Sequence, residues 1–135
     1  MKPVPIGAKG KFEQVVETRH LASELDSSLA TVMSTPTMVG MMELAAMDAI
    51  RPFLDPGEAS VGVSMEVQHT AATPPGHRVR AEAELTKCEG RRLEFQVRAF
   101  DETEQIGAGT HRRAVIDAAK FAERLKAKVK VSFKP

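Results

Sequence analysis

Polar and apolar positions alternate with a period of two through most of the second half of the chain. Val61, Val63, Met65, Val67 and His69 form one row, with Gly62, Ser64, Glu66, Gln68 and Thr70 opposite. Val79, Ala81, Ala83 and Leu85 alternate with Arg78, Arg80, Glu82 and Glu84, and Leu93, Phe95, Val97 and Ala99 alternate with Glu94, Gln96 and Arg98. Side chains on a strand point to opposite faces in turn, so each run predicts a strand with one buried face. Gln105 to Asp117, carrying Ile106, Ala108, Val115 and Ile116, predicts a further strand, and Lys11 to His20, with Phe12, Val15 and Val16, an earlier one. The separators Thr73-Pro74-Pro75-Gly76, Glu89-Gly90 and 101–104 have turn chemistry. Strands joined by such short turns pair antiparallel.

Between the first strand and the rest the period changes. Leu25, Leu29 and Val32 recur about one helical turn apart within a small, polar stretch from Leu21 to Ser34, which suits a short helix or a mobile lid. Thr35-Pro36 then reads as a helix start, Thr as N-cap and Pro at the first helical position. From Pro36 to Ile50 apolar residues occupy nearly every face, which predicts a helix buried all round, roughly 22 Å long. Arg51-Pro52 and Asp55-Pro56-Gly57 end it. Ala118 to Lys130, rich in Lys, predicts a terminal helix. The expected fold class is α+β: one long central helix wrapped by a curved antiparallel sheet of about five strands, with the other face of the sheet in water. That is the hot-dog architecture, here as one domain over 1–135.

Composition narrows the function. A formal net charge of +1 argues against a nucleic-acid partner, and six Phe with no Trp or Tyr offer few stacking platforms. No apolar run reaches membrane-spanning length, and the first residues lack the apolar core of a signal peptide. Cys88 is the single cysteine and lies in a strand pattern, so it reads as a structural thiol, and no disulfide forms within the chain. A cytoplasmic location is expected. The four His show no metal-ligand spacing, so no metal is expected.

Two residues contradict their surroundings. Glu43 lies in the middle of the most apolar helix, where a lone carboxylate is costly unless paired or protonated. His69 ends an apolar strand row, on the face expected to cover that helix. A carboxylate and an imidazole meeting in a mostly apolar site can share a proton or activate a hydroxyl. Thr35 adds a hydroxyl at a helix start, where backbone N–H groups stabilise a negative oxygen. If the helix begins at Pro36, Thr35 and Glu43 are about 12 Å apart along its axis. The helix then starts later, near Gly40, or the substrate spans the gap, or a second subunit supplies one member.

Most of the chain after residue 35 resembles the fluoroacetyl-CoA thioesterase family, a branch of the hot-dog thioesterases. The likeness is carried by Met38-Val39-Gly40-Met41-Met42-Glu43, by His69-Thr70-Ala71-Ala72-Thr73-Pro74-Pro75-Gly76, by Glu89-Gly90-Arg91-Arg92-Leu93, and by the run from Ile106 to Ile116. It implies hydrolysis of a small or medium acyl-CoA to the free acid and coenzyme A. Coenzyme A is part of that substrate, and no cofactor is implied. The family uses a Thr, a Glu eight residues on and a His twenty-six beyond that, which falls here on Thr35, Glu43 and His69. It also implies Gly62 as a backbone contact beside the thioester and Arg113 near the substrate channel, with Arg91, Arg92 and Arg112 as further basic partners for phosphates. The fluoroacetate-selective member is associated with a phenylalanine lid. No Phe occurs between Phe12 and Phe53, and Leu25, Leu29 and Val32 stand in the lid instead. A homodimer is expected, because a sheet of this size leaves an edge strand open. Competing readings are a non-catalytic acyl-CoA-binding module and an enoyl-CoA hydratase. The second ranks lower because its Asp-and-His arrangement is not found.

Overall fold

The computed structural model describes residues 1–129. The chain runs through β1 (Lys9–Val15), α1 (Thr35–Ile50), β2 (Glu58–His69), β3 (Arg78–Glu89), β4 (Arg92–Phe100), β5 (Gln105–Asp117) and α2 (Ala118–Val129). The five strands form one antiparallel sheet in the order β1-β3-β4-β5-β2, curled around α1.

Sheet and helix meet through the predicted rows. Val79, Ala81 and Leu85 of β3 and Leu93, Phe95, Val97 and Ala99 of β4 are buried against Met38, Met42, Ala45, Ala46, Ala49 and Ile50. Those helix positions recur at three and four residues, which is one face of α1. Small side chains let β1 come close: a Cβ on Gly10 would run into the backbone of Ala45 and Ala49. The edge at β1 is also tied to α1, since the Lys11 N–H donates to Asp48 Oδ2 at 3.0 Å. Among the described residues, the edge at β2 has no neighbouring strand.

Several expectations need correction. The helix is not buried all round: Val39, Gly40, Glu43 and Met47 are half-buried and Leu44 is exposed. One sheet covers one side of a helix, and the apolar residues on the other side remain open in the single chain. The N-cap is Ser34, whose Oγ accepts from the Thr37 N–H at 3.2 Å, so Thr35 is already helical. Leu21 to Ser34 is not a helix. It holds a 3₁₀ turn at Ala22–Glu24 and a loop, closed by the Leu21–Met33 bridge and by the Ala22 N–H to the Val32 carbonyl at 2.8 Å. The first strand stops at Val15, and a 3₁₀ turn at Thr18–His20 follows. Of the predicted terminal helix, Lys130 lies outside the described residues.

The most consequential correction concerns β2. Its pairing with β5 slips between Gly62 and Ser64, leaving Val63 as the extra residue of a β-bulge. The alternation therefore reverses at Val63. Met65, Val67 and His69 face the helix side with their partner row on β5, but before the bulge it is Ser60 and Gly62 that do so, and Val61 turns away. Val63 itself is 64% exposed.

Candidate active site

The inward rows of β2 and β5 are where polar groups enter the core. His111 and Arg113 lie two apart on β5 and so share a face, and both are buried. Opposite Arg113 in the register sits Gly62, and above it, on α1, Glu43. The Arg113 Nη1–H donates to Glu43 Oε2 at 2.9 Å. Two more of its donors are taken by Ser60: Nε–H by Oγ at 2.9 Å and one Nη2–H by the carbonyl at 3.0 Å. Arg113 is only 4% exposed, so this guanidinium is turned inward onto the carboxylate. The anomaly of an acid in an oily helix is thus answered by a buried cation. Gly62 makes room for it, because a Cβ there would lie 2.6 Å from Glu43 Oε2.

His111 completes this cluster. Its Nδ1 is 2.8 Å from the Ser64 carbonyl and its Nε2 3.2 Å from Arg113 Nη1. The carbonyl can only accept, so Nδ1 carries the proton and Nε2 is the acceptor. Burial pushes the His111 pKa below the ordinary imidazole value. The Ser64 carbonyl opposes that shift, the Arg113 charge adds to it, and Glu43 opposes it.

A second group of residues forms at the start of α1. Thr35 Oγ1 and His69 Nδ1 are 2.8 Å apart, on an exposed hydroxyl and a half-buried ring. His69 Nε2 is buried without a hydrogen-bond partner. Burial lowers the His69 pKa, and the Ala71 carbonyl, which makes no hydrogen bond of ordinary geometry to the ring, opposes this in part. The neutral ring is thereby favoured relative to a free imidazole. The strand end that carries His69 is fixed by the next turn: Thr73 is fully buried, its hydroxyl donates to Asp101 Oδ2 at 3.0 Å, and its carbonyl accepts from the Met33 N–H at 2.9 Å.

The sequence-predicted residues thus fall into two groups within one chain. Thr35 and His69 are brought together, and Glu43, Gly62 and Arg113 are brought together. Glu43 and His69 make no hydrogen bond to each other. Because α1 is regular from Thr35, Thr35 and Glu43 are about 12 Å apart along its axis, and a later helix start near Gly40 does not occur. Leu29 lies exposed on the loop before α1 and Val32 half-buried at its stem. Arg91 and Arg112 are engaged on the surface, Arg91 with Glu58 and Arg112 with Glu66 and Glu94. Ser34, Ser60 and His111 were not singled out from the sequence. For His111 the available signal was its i, i+2 relation to Arg113 on one strand face. Among the described residues, no three His, Cys, Asp or Glu side chains cluster to hold a metal ion, and no helix is long and apolar enough to cross a membrane.

A curled five-stranded antiparallel sheet around one helix, with acid and imidazole groups at the helix surface, defines a hot-dog thioesterase. The chain belongs to the FlK family, described as fluoroacetyl-CoA-specific thioesterase, whose pattern matches residues 16–119. A fluoroacetyl-CoA thioesterase of Streptantibioticus cattleyicolor is 47% identical over 112 residues, which cover 82% of this chain and 81% of that protein. The solved structure of the fluoroacetyl-CoA thioesterase FlK superposes with a TM-score of 0.88 at 40% identity, covering 94% of this chain and 98% of the other. FlK variants have also been solved with acetyl-CoA and with fluoroacetate and CoA. A Thermus thermophilus hypothetical protein, described as a thioesterase superfamily member, gives 0.88 at 36% identity, covering 98% of this chain and all of that one.

Proposed function

We propose that the protein is an acyl-CoA thioesterase that works as a homodimer, releasing coenzyme A and a small or medium carboxylic acid. The observation that carries the reading is the Thr35–His69 pair at 2.8 Å, at the open N-terminus of a helix that also presents Glu43. In this reading the neutral His69 ring carries its proton on Nδ1 and donates to Thr35 Oγ1 across the 2.8 Å contact. The Thr35 hydroxyl hydrogen is then free to point outward, toward the carbonyl oxygen of a thioester. That oxygen gains negative charge when the carbonyl is attacked, and a fixed donor beside a helix N-terminus stabilises it.

Glu43 supplies the base. It takes a proton from the attacking water, the carbon–sulfur bond of the tetrahedral intermediate breaks, and the coenzyme A thiolate leaves and takes up a proton. One carbonyl cannot meet both Thr35 and Glu43 of the same helix, so the acid comes from a second copy. Three features support that assembly: the unpaired edge at β2, the exposed Val63 on it, and the uncovered face of α1 with Val39, Leu44 and Met47. Leu25, Leu29 and Val32 stand where the fluoroacetate-selective relative is associated with an aromatic lid, which supports an unfluorinated acyl group.

The test is a panel of acetyl-, fluoroacetyl-, butyryl- and octanoyl-CoA with a thiol-trapping reagent. Thiol release is expected, abolished in His69→Ala and lowered roughly a hundredfold in Thr35→Val. Tight binding without release across the panel would overturn the enzymatic reading in favour of a binding module. In a parallel assay on crotonyl-CoA, loss of enoyl absorbance without thiol release would favour a hydratase.

A further inference from the structure

We infer that His111 is a positioning residue for hydrolysis, holding the Arg113 guanidinium so that one of its N–H groups is aimed at the Glu43 carboxylate. The inference rests on the reading of Glu43 as the base. His111 is fully buried between β2 and the ring of Phe95, with centroids 6.2 Å apart, and cannot itself touch substrate. Its two ring nitrogens do different work. Nδ1–H is spent on the Ser64 carbonyl, next to the bulge, and this fixes which tautomer is present. Nε2 is thereby left as a lone pair, and it faces Arg113 Nη1 at 3.2 Å, the same nitrogen that donates to Glu43.

Arg113 is thus held from both ends. Ser60 accepts from Nε and Nη2, and His111 with Glu43 accepts from Nη1. Without the acceptor at Nε2, Nη1 keeps a single partner, and the planar guanidinium, still anchored on Ser60, can tilt as a unit through its aliphatic torsions. The carboxylate it steers would then lose its fixed direction. Among the described residues, no other charged group competes for that task. The β2 residues against the cluster are Ser60, Gly62 and Ser64, the β4 residue is Phe95, and the α1 positions one turn either side of Glu43 are Val39, Gly40, Ala46 and Met47.

The two bonds can be separated by substitution. In His111→Gln the amide oxygen reaches the position of Nε2 and can accept from Arg113. In His111→Asn the amide nitrogen matches Nδ1 and can satisfy Ser64, but nothing reaches Arg113. Steady-state kinetics on acetyl-CoA are expected to show kcat lowered about 10- to 100-fold in His111→Asn with KM within about threefold, and kcat largely restored in His111→Gln. Thermal melts of both variants establish that they are folded. Equal kcat in the two variants would overturn the inference, as would a loss that appears in KM alone. Glu43→Ala in the same assay separates this from the underlying reading. An unchanged rate there sinks the role of Glu43, and the role of His111 with it. A collapsed rate there, with a wild-type rate in His111→Asn, sinks only the positioning role.

Discussion

Gly62→Ala tests whether the site depends on where the Glu43 carboxylate is held. The backbone at Gly62 is not in the left-handed region, so alanine is conformationally acceptable and the cost isolates to contact. The new Cβ would lie 2.6 Å from Glu43 Oε2, against an ordinary contact of 3.4 Å or more, so the carboxylate must withdraw by about 0.8 Å. That oxygen is the one accepting from Arg113 at 2.9 Å, and a displacement of this size breaks or badly bends the bond. A charge-assisted hydrogen bond contributes about 1.5–3 kcal/mol. The Glu43 side chain is 39% exposed and partly screened, so the loss is taken as about 1 kcal/mol. A melting temperature lower by about 4 °C is the expected reading. The catalytic effect is larger, because a misplacement near 1 Å costs about a hundredfold in rate. The assay is thiol release from acetyl-CoA, with melts of Gly62→Ala, Glu43→Ala and the double variant. In the Glu43→Ala background the added methyl meets no carboxylate, so its effect on stability should vanish. A rate within twofold of wild type, or an undiminished stability loss in the double variant, would refute the reasoning.

Three further outcomes are expected. Gly10→Ala should destabilise by about 1–3 kcal/mol in chemical denaturation, because its Cβ meets the backbone of Ala45 and Ala49, which cannot yield as a side chain does. His69 and His111 both have folded-state pKa values below 6.5, so the unfolded chain binds protons that the folded chain refuses. Stability should then fall as pH drops below about 6.5, and a denaturation midpoint that holds constant from pH 7 to 5.5 would contradict this. Val63→Asp places a charge on the open edge of β2 and should yield a folded monomer by light scattering, with thiol release lost; an active monomer would show that one chain suffices.

The sheet and helix were legible because each strand repeats polar and apolar residues cleanly and α1 is a long apolar run. Three features were not. The bulge at Val63 replaces one apolar position with another, so the row from Val61 to His69 looks unbroken although its facing reverses partway. The capping role of Ser34 was hidden because Ser and Thr are adjacent and both are competent caps; only the hydrogen bond from Thr37 decides. The partner of Glu43 lies seventy residues away on another element, and no local pattern carries such a pairing. The oddity of Glu43 and His69 was visible as a mismatch with their neighbours. What each one meets depends on the register of β2 against β5 and on the rotation of α1, which are set by the packing of the whole core.

The loop before α1 is sewn shut at its stem. Leu21 bridges Met33, Ala22 bonds Val32, and Ser34 donates back to the His20 carbonyl, while Leu25 and Leu29 project from the tip into solvent. Such an arrangement behaves as an exchangeable cassette. Its tip can change length or chemistry without disturbing the interior, since its backbone is closed on itself before the core begins. Selection, or an engineer grafting segments between related proteins, can therefore rebuild the tip while leaving the Thr35–His69 and Glu43–Arg113 pairs untouched.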